Sequence, residues 1–348
     1  MDILVLVFLS SGLFLGWALG ANDAANVFGT AVGTRMVSWR MAAIICSVFV
    51  ILGALVSGGG TTHTLGKLGA ISALPGAFMT ALSAAAAVYS MTKSGLPVST
   101  SQAIVGAIIG WNLFSGNPTD TATLTKILST WVICPVLSAA IAVTLFKTLK
   151  FAGSKIKLHM IMADAYTRVA LIAAGALGAY SLGANNIANV VGVFIPAEPL
   201  PPLQVGEFVF SSTQQLFLLG GLAIALGVFT YSKGVMMTVG NNLGRLSSTA
   251  ALVAVVSHSI VLLLFASRGL EAWLAGNGLP TIPLVPVSSS QAVVGAIVGI
   301  SILQGSSGIR WTILAKIVAG WIATPIAAGL LCFFGLFFLQ NVFGLVVK

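Results

Sequence analysis

Long apolar runs alternate with short polar breaks along the whole chain. Runs close to the roughly 20 residues that a helix needs to cross a bilayer fall at about 3–21, 41–57, 75–90, 124–146, 167–184, 206–228, 249–266 and 312–338. Two further segments, at about 96–111 and 286–303, are shorter, rich in Gly and Ser, and open on a proline-led polar phrase. The pattern leaves them as short spans, broken helices or arms of re-entrant hairpins. The first run follows Met1-Asp2 directly, without the basic stretch or small-residue cleavage site of a signal peptide, so it is expected to stay as a helix.

Composition agrees with the pattern: 57% of residues are hydrophobic, 7% are charged and mean hydropathy is +1.05. An all-α polytopic membrane protein is expected. The formal charge of +9 reads as topology and not as a nucleic-acid signal. Five crossings per half, starting outside, leave only Lys67, Lys126, Arg268 and Lys348 facing out, with 12 of the 16 Lys and Arg in the cytoplasm. Both termini are then predicted outside, in a multi-pass protein of the cell (plasma) membrane. Cys46, Cys134 and Cys332 all lie in apolar runs and suggest buried packing, not a disulfide framework or a metal cluster.

The two halves repeat each other in order. Gly20-Ala21-Asn22-Asp23-Ala24-Ala25-Asn26-Val27 returns as Gly183-Ala184-Asn185-Asn186-Ile187-Ala188-Asn189-Val190, with Asn186 where Asp23 stood. Leu96-Pro97-Val98-Ser99-Thr100-Ser101-Gln102-Ala103 is answered by Val285-Pro286-Val287-Ser288-Ser289-Ser290-Gln291-Ala292. Lys126 to Trp131, then Pro135, parallels Lys316 to Trp321, then Pro325. An odd number of crossings per copy makes the second enter from the opposite side. The predicted fold is two inverted-topology repeats with broken or re-entrant helices at the midplane. Residues 1–146 form the first, 166–348 the second, and 147–165, with Lys147, Lys150, Lys155, Lys157 and His159, a basic cytoplasmic connector.

Two chemistries are suggested. A helix N-terminus offers free N–H groups and about half a positive charge, which suits an oxyanion. The Pro-Val-Ser phrases read as two such termini, where Ser99, Thr100, Ser101, Ser288, Ser289 and Ser290 would donate hydrogen bonds. Asp23, the amide oxygens of Asn22, Asn26, Asn185, Asn186 and Asn189, and carbonyls freed where a glycine-flanked helix unwinds would be hard oxygen ligands. These suit a small hard cation, and sodium is the expected one, because magnesium or calcium would normally demand more carboxylates. Helix capping and close packing would also account for Ser/Thr clusters, and Gln102 and Gln291 would serve equally as bridges between helices. Of the seven acids only Asp23 sits in such a context of oxygen ligands, since Asp2, Asp120, Asp164, Glu198, Glu207 and Glu271 fall at ends or loops.

The Gly-Ala-Asn phrases, together with Ser94-Gly95-Leu96-Pro97-Val98-Ser99-Thr100-Ser101, resemble the signatures of the PiT inorganic phosphate transporters. The resemblance covers essentially the whole chain. It implies a sodium- or proton-coupled phosphate symporter with an inverted repeat, often described with 12 transmembrane segments, and a homodimer. Carried over by motif, it implies that Ser99, Thr100, Ser101, Ser288, Ser289, Ser290, Asn22 and Asn185 serve phosphate. Asp23, Asn26, Asn186, Asn189, Gln102 and Gln291 would then serve sodium. The 147–165 connector is shorter than the hydrophilic loop of many members.

The expected function is a symporter that imports inorganic phosphate with sodium ions by alternating access, with no cofactor and no nucleic-acid partner. The competing readings are a proton-coupled phosphate or sulfate permease and, further off, an anion channel. An enzyme is not expected, since His63, His159 and His258 are scattered. His258 lies in an apolar span, as a packed group or a proton carrier. Gly58 to His63 reads as a turn that would either be a plain loop, act as a gate or lend Thr61 and Thr62 to the anion. Trp39, Trp111, Trp273 and Trp311 read as interfacial anchors.

Overall fold

The computed structural model describes residues 3–94, 97–155, 159–242, 246–305 and 310–348. Lys157 and Arg245, counted above as cytoplasmic cations, lie outside the described residues. The apolar runs fold as helices because lipid offers no partner for a free N–H or C=O, and a helix satisfies both internally. The first half contains α1 (Ile3–Gly33), α2 (Trp39–Ser57), α3 (Gly59–Leu68), α4 (Leu74–Lys93), α5 (Thr100–Ser115) and α6 (Thr121–Lys155). In the second half α7 (Met160–Val191) runs into a 3-10 turn over Gly192–Ala197. It is followed by β1 (Leu203–Val205), β2 (Phe208–Phe210), α8 (Ser212–Asn242), α9 (Ser248–Leu264), α10 (Arg268–Gly276), α11 (Ser289–Leu303) and α12 (Trp311–Asn341).

Seven of these helices are long and apolar enough to cross a membrane, and α9 with α10, bent by 63° at their break, makes up to eight. This is a multi-span helical membrane protein. The two short segments become α5 and α11, roughly 24 and 22 Å long at 1.5 Å per residue and so too short to cross alone. Each is entered by non-helical chain, Pro97–Ser99 for α5 and residues 279–288 for α11.

Several expectations change. The Gly20 and Gly183 phrases do not unwind: α1 and α7 run through them as unbroken helix. Their glycines serve close approach instead. A Cβ on Gly20 would strike the Ile224 carbonyl of α8, and one on Gly183 the Val50 carbonyl of α2. Gly227 of α8 and Gly53 of α2 return the contact, against the carbonyls of Trp17 and Tyr180. Backbones meeting this closely are the usual device for joining helices in lipid, where burial of apolar surface gives no drive.

The 206–228 run opens with an antiparallel hairpin, Leu203 opposite Phe210, before α8 begins at Ser212. Gly206 supplies the positive φ of 62° that the turn needs. The connector is mostly helical, since α6 continues to Lys155 and α7 starts at Met160. Gly58 to His63 is no loop but the join of α2 to α3. Trp111 is 1% exposed and its Nε1 donates to the Val347 carbonyl at 2.9 Å, so it anchors the folded-back C-terminus and not the interface. The three cysteines are free and buried.

Matched contacts recur across the halves: α1 packs on α8 and α4, α7 on α2 and α9, α5 on α12 and α11 on α6. Gly106 of α5 faces the backbone of Pro325, and Gly295 of α11 that of Pro135. Each proline also leaves the carbonyl four residues before it, on Trp131 or Trp321, without a helical donor.

Replacing Gly106 or Gly295 by alanine should therefore destabilise the fold by at least about 1–3 kcal/mol, the common cost of overpacking. Gly153→Ala, where nothing lies within 4 Å, should be neutral or slightly stabilising. Thermal unfolding in detergent checks both. Wild-type melting of Gly106→Ala would contradict the packing.

Candidate functional site

The two polar phrases of each half come together in a closed centre. None of the fourteen candidate residues is more than 3% exposed. In α1, the Asn22 amide ties three elements: Nδ2 donates to Thr92 Oγ1 of α4 at 2.9 Å, and Oδ1 accepts from the N–H of Val98, just before α5, at 3.2 Å. Asn185 repeats the arrangement in α7. Its Oδ1 accepts from the N–H of Val287 at 2.8 Å, while Nδ2 donates to the carbonyls of Val285 and Leu262 at 3.3 and 3.5 Å. Each asparagine thus holds the chain that enters the short helix of its own half.

Those entries set the helix starts. Ser99 and Ser288 are the N-caps of α5 and α11, and their Oγ atoms accept from Gln102 N–H and Gln291 N–H, each at 3.2 Å. The first-turn N–H groups of Thr100, Ser101, Ser289 and Ser290 have no partner within their helices and present the positive ends of two dipoles. Ser288 Oγ lies 3.1 Å from Ser290 Oγ. Ser289 Oγ lies 2.9 Å from His258 Nε2 of α9, so that histidine belongs to the hydroxyl cluster.

Asp23 accepts from Asn26 Nδ2 and from Thr100 Oγ1, each at 3.3 Å. Its counterpart Asn186 accepts from Asn189 Nδ2 at 3.0 Å and lies 3.3 Å from the Ser101 hydroxyl. Ser101 Oγ also accepts from Asn189 Nδ2 at 2.8 Å and sits 3.1 Å from the Val287 carbonyl. The first turn of α5 therefore touches α1, α7 and the entry to α11 at once.

Several unpartnered atoms fall in matched pairs. Buried acceptors without a partner include Asn26 Oδ1 with Asn189 Oδ1, and Gln102 Oε1 with Gln291 Oε1. Asn186 Nδ2 is a buried donor without one, and so are the indole nitrogens of Trp131 and Trp321. Such groups are few in native proteins because each costs about 1–3 kcal/mol. Thr61 and Thr62 are not among the hydroxyls at this centre: Thr61 donates to the Asn185 carbonyl at 2.9 Å and Thr62 to that of Gly59 at 3.1 Å. Thr92 joins the polar centre through Asn22 without belonging to a repeated phrase. The pairing of Trp131 with Trp321 was readable from the Lys126 and Lys316 repeat, but nothing there marked their nitrogens as unpartnered.

The model of the phosphate transporter family matches residues 19–332, a stretch that takes in both Gly-Ala-Asn phrases and both hydroxyl clusters. The chain belongs to that family. The family is one of transporters and not of enzymes. A protein of Methanocaldococcus jannaschii named as a candidate phosphate permease is 27% identical over 90% of this chain and 91% of its own. The Sulfate permease CysP of Bacillus subtilis is 28% identical over 90% of this chain and 82% of its own. The solved structure described as "The sodium-dependent phosphate transporter" shares the fold with a TM-score of 0.78 at 21% identity, covering 98% of this chain and all of that one.

Because Asn185 and Asn22 each hold a buried backbone N–H, Asn185→Ala should leave that of Val287 unpaired and cost about 1–3 kcal/mol. The expected readout is a melting point in detergent lowered by roughly a few degrees, with Asn22→Ala behaving alike. An unchanged melting point in both would refute the clamp.

Proposed function

We propose that this member of the phosphate transporter family is a secondary active symporter that imports inorganic phosphate together with sodium ions. The observation that carries the reading is the buried Asp23 carboxylate, bonded only to Asn26 and Thr100 among the described residues, in a chain whose two polar phrases also bury four unpartnered amide oxygens, those of Asn26, Asn189, Gln102 and Gln291. A buried anion with spare hard oxygen acceptors and only neutral hydrogen-bond donors calls for a cation. The two helix starts and their hydroxyls call for an anion. Each bound charge lowers the cost of holding the other away from water, which couples the two cargoes physically.

In this reading Asp23, Asn26, Asn186, Asn189, Gln102 and Gln291 serve sodium. Ser99, Thr100, Ser101, Ser288, Ser289 and Ser290 serve phosphate, with Asn22 and Asn185 aligning the helix starts they face. The matched packing of the halves supports repeats over 1–146 and 166–348, joined by the basic 147–165 stretch. Rocking of one repeat-related bundle would open the closed centre to each side in turn. Termini outside, a cytoplasmic connector and a homodimer belong to the same proposal. His258 beside Ser289, together with the sulfate permease among the relatives, favours a proton-coupled phosphate or sulfate carrier as the second reading.

The deciding experiment is radiolabelled phosphate uptake into proteoliposomes, under an inward sodium gradient or potassium at matched pH, with excess sulfate as competitor. Sodium-driven accumulation resistant to sulfate is expected. Uptake driven only by protons, or abolished by sulfate, would transfer the reading to the second carrier. Asp23→Asn should reduce sodium-driven uptake more than about tenfold, as loss of a required charge contact does. Ser101→Ala or Ser290→Ala should instead raise the phosphate KM; unchanged KM in both would move the anion site elsewhere.

A further inference from the structure

Away from the closed centre, three of the four cations that the topology reading assigns to the outside converge on one cavity. Lys67 of α3, Lys126 of α6 and Arg268 of α10 line a space of about 570 Å³, with His63 and the single carboxylate Glu271. Four sequence-distant segments supply these walls. On the other side of α3, His63, Lys67 and Arg268 also line a second cavity of about 600 Å³. Asp120 stands beside the first cavity, and its carboxylate is engaged in starting α6. It accepts from Thr123 Oγ1 at 2.6 Å and from the Ala122 N–H at 3.1 Å. The Thr123 hydrogen bond, with a smaller contribution from Lys67, holds that carboxyl below its ordinary range.

The inner wall of the cavity is Leu284 and Val285, the chain that leads into α11. Thr64 of α3 donates to the Leu284 carbonyl, and Thr61, one turn earlier, to that of Asn185. Three residues beyond Val285 stands Ser288, the cap of α11. The cationic walls therefore lie directly before one of the two hydroxyl clusters, and Lys67 and Arg268 border both cavities.

We infer that this vestibule is a second, weaker binding site for a tetrahedral oxyanion, which gathers the anion from water before it reaches the closed centre. The inference rests on the symporter reading for its role in uptake, but not for binding itself. A concave wall of one charge sign raises the local concentration of the opposite ion and speeds its capture, by about 10- to 10³-fold in strong cases and less as salt screens it. Three permanent cations against one lining carboxylate supply that field, and their exposed side chains allow release.

Equilibrium binding of radiolabelled inorganic phosphate to the purified full-length Asp23→Asn variant, in sodium-free potassium buffer without added lipid, isolates the vestibule. Weak binding is expected, reduced about three- to tenfold by raising ionic strength from low to near-physiological and by Lys67→Gln with Lys126→Gln. Lys126→Arg should retain it. Arg268 is left intact because its guanidinium also donates to the Gly59 carbonyl and holds α3. The salt titration needs no further substitution, so it decides even if the double variant fails to fold.

Binding that is absent, or indifferent to salt and to both lysines, would overturn the inference. So would binding only of an anionic lipid, tested with short-chain phosphatidylglycerol. Sulfate run in parallel separates the two proposals. Uptake specific to sulfate with vestibule binding intact would end the phosphate reading alone, and sodium-driven phosphate uptake without vestibule binding would end this one alone.

Discussion

Asp23 is 2% exposed in a chain built for lipid, and holding that carboxylate is the constraint on which the polar centre depends. In hydrocarbon an acid costs about 2.5–3.5 kcal/mol even on lenient insertion scales. Asn26 and Thr100 give it hydrogen bonds but no compensating charge. The second half supplies an amide, Asn186, at the matching position, so the two phrases bring one carboxyl group to the centre and not two. On the proposed reading, that asymmetry would give a cation a reason to enter, and a bound cation would give an anion a reason to follow.

Holding the centre in place falls to the backbone. Asn22 and Asn185 fix the entries of α5 and α11, so the helix starts are held by these amides as well as by the Ser99 and Ser288 caps. Around them, reciprocal glycine contacts weld α1 to α8 and α7 to α2, while Gly106 and Gly295 let α5 and α11 lie against the proline-bearing helices α12 and α6. Close-packed pairs of this kind move as bodies and do not deform smoothly, since interiors at crystal-like density have few voids to absorb strain. Motion that opens the centre would then run between the welded pairs, along the contacts of the α5 first turn with α1 and α7.

On the proposed reading, the same division would separate tight from loose handling of the anion. At the centre, neutral hydroxyls and helix dipoles face a buried site where each interaction is strong because water is absent. In the vestibule, full charges on Lys67 and Lys126 face water, where screening makes each interaction weak and reversible. On that reading, full cations at the mouth and only neutral donors inside would keep the anion from being held permanently at either.

Much was legible in the chain itself. Composition and apolar runs determined a helical membrane protein, and the paired phrases picked out Asp23, the asparagines and the hydroxyl clusters, because burial in lipid selects so strongly against polar residues that any survivor stands out. The positions of helix ends and breaks were less legible. Helix α1 runs on through Gly20 to Gly33, since glycine lowers helix propensity by only about 1 kcal/mol and the approach of α8 uses the absent Cβ. Trp111 near an apparent boundary proved buried against Val347, a contact 236 positions away that no local pattern encodes. The tertiary structure alone decided which polar atoms find partners. Asn22 and Asn26 are the same residue type four positions apart. Yet the oxygen of the first is taken by a backbone N–H from a distant segment, while that of the second has no partner, because the chain entering α5 passes Asn22 at Val98.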